Sequence, residues 1–427
     1  MILANNIQEK EIRKEHVLSI LLVFPITFLL FGLLNTIYLK EDGILLIHGL
    51  RNIMTSPTIL ITDFLEIGGI GASFINSALI GFINLFLLKH YKMKINGLLI
   101  AAFMTVLGFS FFGKNIFNIL PIYLGGYLYA FHQKISMKDI LLAIMFSTSM
   151  APIVSEISFA PIFLKPYGLI LGISVGVLIG FIIVPLSSHM LRFHDGFNLY
   201  NIGFTSGIVG TVFTSILRSF KKEIMPVSIL YLEYNAYIIG VLTVLFIYLI
   251  IAGRIINKEV LSKYKDIFKY RGRIVTDFTQ QLGYGVTFVN MGAMGLLSLL
   301  YVIVVGGIVN GPVLAGIFTV VGFAAFGKHP KNCFPIVFGV VIAAILMGHE
   351  LSATGIIISV LFSTTIAPIA GTYGVKIGIL AGMLHLALVT NIGVVHGGIN
   401  LYNNGFSGGL VAGFLIPIID AFKKGEM

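Results

Sequence analysis

Two amides and a phenol stand at fixed spacing in a block that the chain carries twice. His194-Asp195-Gly196-Phe197-Asn198-Leu199-Tyr200-Asn201-Ile202-Gly203-Phe204 returns as His396-Gly397-Gly398-Ile399-Asn400-Leu401-Tyr402-Asn403-Asn404-Gly405-Phe406. From 194–210 to 396–412, 10 of 17 positions are identical. Asn198, Tyr200 and Asn201, with Asn400, Tyr402 and Asn403, would place amides and phenols just inside a helix mouth. Such groups donate and accept together, which suits recognition of a neutral polar solute. Helix capping and interfacial anchoring would use some of the same residues. Capping needs one Asn, however, and not the whole block.

Two further repeats carry polar residues into apolar surroundings. Thr62 to Lys114 aligns without a gap on Thr276 to Lys328, with 19 of 53 positions identical, and keeps Asn76 as Asn290. An amide in an apolar helix must find a partner. These two therefore predict either a helix–helix hydrogen bond at a glycine-rich seam or a contact with a solute or ion. Phe146-Ser147-Thr148-Ser149-Met150-Ala151-Pro152 recurs as Phe362-Ser363-Thr364-Thr365-Ile366-Ala367-Pro368. Hydroxyls ahead of a proline suit a helix that breaks inside a membrane and exposes backbone groups to a solute. Alternatively, the helix is only kinked and the hydroxyls bond its own carbonyls. The site expected from sequence is thus Asn76, Asn290, Ser147, Thr148, Ser363, Thr364 and the six residues of the first block.

Charged groups narrow the chemistry. No Asp or Glu falls at the middle of an expected span, and Asp63/Asp277 is the only acidic pair kept in both copies. That argues against a central proton-carrying carboxylate. Na⁺ coupling stays open, because Asn, Ser, Thr and unwound carbonyls can coordinate that ion. Lys114 and Lys328 close a repeated Phe-Gly-Lys at a helix end, where a cation complements the dipole or snorkels, with anion binding as the alternative. His385 has no counterpart in the first copy and reads as a buried, hydrogen-bonded histidine. A single cysteine, Cys333, leaves no multi-cysteine metal site. No catalytic constellation, metal set or cofactor is expected.

The elements that must position these residues are membrane helices. The chain is 57% hydrophobic and 11% charged, with a mean hydropathy of +0.98, so lipid must be its solvent. The net charge of +10 sits in short loops between apolar runs and reports orientation, not nucleic-acid binding. The first run, Val17 to Tyr38, is too long for a signal-peptide core and reads as a retained helix. Seven segments fit the first copy, at 17–39, 67–88, 96–112, 117–131, 139–154, 167–188 and 198–217. Seven fit the second, at 236–253, 281–305, 310–327, 333–348, 352–369, 374–394 and 400–419. The fourth and fifth of each copy are short and carry Pro or Gly, so re-entrant or broken helices are expected there. An insertion near Ser155–Gly168 reads as a surface loop, and 41–62 and 254–276 read as interfacial helices.

Loop charges set the topology. With Lys10, Arg13 and Lys14 in the cytoplasm and every segment spanning, 21 basic residues fall inside. Seven fall outside: Lys40, Arg51, Lys114, Lys165, Arg218, Lys221 and Lys222. Basic loops of one copy align with bare loops of the other, as Lys89–Lys94 does with Ile303–Ile308. The fold class is therefore an all-α integral membrane protein of two tandem inverted-topology repeats. Each has about seven transmembrane segments; the copies are 1–222 and 223–427, and both termini are cytoplasmic.

The repeated Phe-Gly-Lys, Phe-Ser-Thr-x-x-Ala-Pro and Asn-Leu-Tyr-Asn-x-Gly-Phe blocks resemble an uncharacterised prokaryotic family of multi-pass proteins with a duplicated domain of unknown function. The seven-plus-seven plan is similar to that of nucleobase and sulfate permeases. Tyr402-Asn403-Asn404-Gly405 looks like the Tyr-Asn-Gly segment of urea channels, interrupted by Asn404 and without their Leu-Pro-x-x-Thr-x-Pro-Phe signature. The expectation is a plasma-membrane transporter or facilitator of a small solute, its site between the copies near the bilayer midplane. A membrane-embedded enzyme acting on a lipid-linked substrate and a urea-like channel are the alternatives. The partners expected are the bilayer and the solute, with a homo-oligomer left open.

Overall fold

The computed structural model describes residues 14–38, 43–161, 163–164, 166–224 and 227–424, and every one of the fourteen apolar segments is helical. The first copy comprises α1 (Lys14–Tyr38), α2 (Gly43–Thr55), α3 (Phe64–His90), α4 (Gly97–Phe109), α5 (Ile116–Gln133), α6 (Met137–Ser147), α7 (Ala151–Phe159), α8 (Tyr167–Met190) and α9 (Asn201–Ser219). The second comprises α10 (Ala236–Ile256), α11 (Gly283–Val304), α12 (Gly311–Phe323), α13 (Pro330–Leu346), α14 (Thr354–Ser363), α15 (Ala367–Tyr373), α16 (Val375–Ile392) and α17 (Asn403–Lys424). Nine stretches among the described residues are long and apolar enough to cross a membrane. Of the basic residues that set the topology, Lys10, Arg13, Lys40 and Lys165 lie outside the described residues.

Side-chain caps start these helices where the repeats agree. Asn96 accepts from the Leu99 N–H at the head of α4, and Asn310 accepts from Val313 at the head of α12. Asn115–Asn118 and His329–Asn332 form reciprocal capping boxes on α5 and α13.

Of the unbroken segments the shortest is the third of each copy, not the fourth. At 13 residues, α4 and α12 run about 20 Å, too short for a hydrocarbon core of about 30 Å. The turn after each explains the difference. Gly113 (φ 87°) and Gly327 (φ 85°) reverse the chain in the left-handed region, so the apolar residues ahead of them end the helix without extending it. Apart from Thr105 and Thr319 the two helices are apolar on every side; α12 is buried throughout and α4 at every residue but Leu98, as elements at the centre of a bundle must be.

The fifth segments are the broken ones. A single 3₁₀ turn, Thr148–Met150, separates α6 from α7, and Thr364–Ile366 separates α14 from α15. Beyond it α7 continues to Phe159 with Ser155 buried, so the inserted loop begins five residues later than the sequence suggests. Of the two expected interfacial segments, the first is α2, with Ile44, Leu45 and Ile47 exposed. The second is only one turn, Val260–Lys263, and a 3₁₀ turn, Tyr264–Lys269.

The copies interlock by exchanged contacts. Asp63 caps α3 and also accepts from the Gly311 N–H at the start of α12, 3.1 Å away. Asp277 does the same for Gly97 at the start of α4, also at 3.1 Å. Asp63 itself bridges Phe112, just past the end of α4, while Asp277 bridges Phe326, just past the end of α12. Each short helix therefore begins where the other ends. They run antiparallel through the centre of the molecule.

Candidate functional site

Lys114 and Lys328 follow the two glycine turns and point inward. Both are fully buried. Asn76 fastens the first turn by donating to the carbonyls of Ser110 (2.7 Å) and Lys114 (2.9 Å). Asn290 repeats this on Ala324 (2.7 Å) and Lys328 (2.8 Å). The amides expected to meet a solute are thus consumed in holding the lysines, and neither faces the cavity described below.

Each lysine then bridges the copies. Lys114 Nζ donates to Thr148 Oγ1 of its own broken helix (2.8 Å) and to Tyr402 Oη of the other copy (2.6 Å). Lys328 Nζ donates to Thr364 Oγ1 (2.7 Å) and to Tyr200 Oη. Among the described residues no carboxylate lies within ion-pair distance of either. The lysines expected to complement a helix dipole or reach the headgroups do neither, because hydroxyls at the centre capture them. Nearby, Phe109 and Phe323 lie 5.4 and 5.2 Å from the two amines.

Rings complete two matched clusters. Phe109 packs on Tyr402 (4.7 Å) and Phe362 (5.4 Å), and Phe323 packs on Tyr200 (4.7 Å) and Phe146 (5.8 Å). The hydroxyls of the broken helices bond back to their own chain as well. Ser147 donates to Ala143 O, Thr148 to Met145 O, Ser363 to Val360 O and Thr364 to Leu361 O. The break therefore exposes hydroxyl lone pairs to the lysines and keeps its own carbonyls satisfied.

The Asn-Leu-Tyr-Asn blocks are extended leads into α9 and α17, and their amides lace the copies together. Asn198 Nδ2 donates to Gly405 O (2.9 Å) and Asn400 Nδ2 to Gly203 O (3.2 Å). The Leu199 N–H donates to Thr365 O and the Leu401 N–H to Ser149 O, both at 3.0 Å. Where the helix heads meet there is no room for a side chain. A Cβ on Gly203 would stand 3.1 Å from the Gly405 Cα, and one on Gly405 would stand 3.0 Å from the Gly203 Cα. Asn201 and Asn403 then turn away to His194 Nε2 (3.1 Å) and His396 Nε2 (2.8 Å) through their Oδ1 atoms.

Between the two clusters lies a cavity of about 320 Å³. Its walls include matched pairs: Thr105 and Thr319, Phe109 and Phe323, Phe146 and Phe362, Tyr200 and Tyr402. Of the residues expected at the site, Tyr200, Tyr402 and Asn201 face this space. Thr148 and Thr364 stand behind the phenols, while Asn198, Asn400, Ser147 and Ser363 are structural ties. Asn403 is replaced in the wall by its neighbour Asn404. Asn404 Oδ1 bonds the fully buried His385 Nε2 (3.0 Å), where the equivalent first-copy positions are Ile202 and Ile183.

Sequence reasoning left Lys114, Lys328, Thr105 and Asn404 out of the site. The Phe-Gly-Lys repeat did signal the lysines, as a polar residue kept in both copies. Nothing in the spacing signals a partner 288 residues away.

The model of one protein family, described as Protein of unknown function (DUF1576), matches residues 44–219 and again 256–421. The chain belongs to this family and carries its domain twice. No curated protein and no solved structure matches it.

Proposed function

We propose that this chain carries a small solute across a membrane, through a site between two inverted copies near the bilayer midplane. The observation that carries the reading is the cavity itself, walled in pairs by equivalent residues from both copies. A site on a two-fold axis in the membrane plane can open to either side by equivalent movements, which is the economy of alternating access.

Two observations support the inversion. The equivalent helices α4 and α12 run antiparallel, so the axis relating them is perpendicular to both. With helices along the membrane normal, such an axis lies in the plane. With the buried Lys114 and Lys328 left out, the basic residues divide 20 to six only if equivalent loops face opposite sides, which would put both termini at the cytoplasmic face of the plasma membrane.

The experiment is uptake into sealed vesicles holding the purified chain, with neutral, anionic and cationic labelled solutes, with and without a Na⁺ gradient. Thr319→Phe fills the cavity from a buried wall position without touching the lysine network. Uptake is expected from the native chain and not from a folded Thr319→Phe variant. Equal uptake by both would remove the cavity from the pathway.

A further inference from the structure

Resting on the transport reading above, we propose that the solute is a small organic anion. Its acceptor-only head would be taken by a lysine-backed phenol, with one such position in each copy, and its apolar body by the cavity wall.

Donors and acceptors around the cavity do not balance. Tyr402 Oη accepts from Lys114 and Tyr200 Oη accepts from Lys328, which leaves each phenol its own O–H proton. The Tyr200 hydroxyl also lies in hydrogen-bond reach of Thr364, while the Tyr402 proton has no acceptor among the described residues. Thr105 Oγ1, in the wall and 2% exposed, has no partner at all among them. Asn201, Ile202 and Gly203 at the head of α9 and Asn404 and Gly405 at the head of α17 also face the space; first-turn N–H groups lack helical acceptors, and of these the Gly405 N–H is met by Tyr402 O (2.8 Å). The amide acceptors of the wall, by contrast, are engaged. Asn201 Oδ1 is bonded to His194 and Asn404 Oδ1 to His385. A solute rich in donors, such as urea or an amine, would meet a wall already full of donors. One that only accepts would satisfy them.

Charge agrees with the hydrogen bonds. Lys114 and Lys328 are fully buried, and their polar partners are neutral oxygens. The acids kept in both copies, Asp63 and Asp277, are occupied by backbone N–H groups of their own segments and of the heads of the short helices. Two buried amines without a counter-charge are costly, and a bound anion supplies what the protein omits. The wall also says organic, since Leu98, Leu142, Leu199, Ile274 and Leu401 would be left against a bare inorganic ion.

Benzoate and benzamide share a ring and differ in charge and in donors, so they separate the possibilities. The native chain in lipid nanodiscs is unfolded thermally with acetate, hexanoate, benzoate or benzamide at constant ionic strength. A carboxylate is expected to raise the midpoint with concentration, while benzamide leaves it unmoved. Tyr200→Phe with Tyr402→Phe keeps the rings, removes both O–H groups and should weaken carboxylate binding about tenfold or more. Thr105→Val, outside the lysine network, should weaken it less, and it serves if the double variant does not fold. Benzamide stabilising as well as benzoate, or no carboxylate shifting the midpoint, would overturn the assignment. Vesicles that move benzamide and ignore carboxylates would end the anion proposal and leave transport standing. Carboxylate binding without any flux would do the reverse.

Discussion

Lys114 and Tyr402 are 288 residues apart in sequence and 2.6 Å apart in space, and Lys328 and Tyr200 repeat the pair with the copies exchanged. This exchange recurs in Asp63–Gly311 with Asp277–Gly97 and in Asn198–Gly405 with Asn400–Gly203. A duplicated chain would not need such reciprocity merely to pack side by side. It brings the retained Lys, Tyr, Asp and Asn pairs into contacts between the copies.

The proposed anion site needs both lysines, and their replacement tests it. Lys114→Met and Lys328→Met fill similar volume and remove a buried amine, a change that is neutral or stabilising by roughly 1–4 kcal/mol when a buried charge is the loss. Each variant is expected to melt no lower than the native chain and to lose solute uptake. A lower melting temperature with intact uptake would make the lysines structural posts.

The turn that aims each lysine depends on one amide. Asn290→Ala leaves the carbonyls of Ala324 and Lys328 without their donor, and Asn76→Ala does so for Ser110 and Lys114. Two lost bonds at a buried site predict a loss of about 2–3 kcal/mol for either variant, read by denaturant unfolding in detergent. No measurable loss would mean that the turns hold themselves.

His385 and Asn404 stand where the other copy has Ile183 and Ile202, so the molecule supplies its own control. Asn404→Ile alone strands the buried His385 Nε2 and should cost about 1–3 kcal/mol. Adding His385→Ile makes this corner match the first copy and should recover most of that cost. Additive losses in the double variant would show that the two residues are not coupled.

Much of this was legible in the chain. Apolar runs located every helix, because a segment that must bury its backbone polar groups in lipid has little choice but to be helical. The repeats singled out Tyr200 and Tyr402, which both line the cavity. Asn76 and Asn290 were misplaced as solute contacts, because a sequence shows that a buried amide needs partners and not which carbonyls supply them. Lys114 and Lys328 were misplaced for the opposite reason. A cation at a helix end has a sufficient local explanation, and only the exchanged packing of the copies overrides it. The short α4 was hidden by Phe111 and Phe112, and α12 by Ala324 to Phe326, which carry the apolar run past each helix end to the glycine turn.

The inversion is the claim on which the site rests, and equivalent turns on the two copies test it directly. Lys92 (φ 48°) ends the turn after α3, and Gly306 (φ 71°) occupies the same place after α11; both are exposed. In a Cys333→Ser background, Lys92→Cys and Gly306→Cys are labelled in intact cells by a membrane-impermeant thiol reagent. The account predicts that Gly306→Cys reacts from outside and Lys92→Cys only after the membrane is opened. The same reactivity at both positions would contradict it.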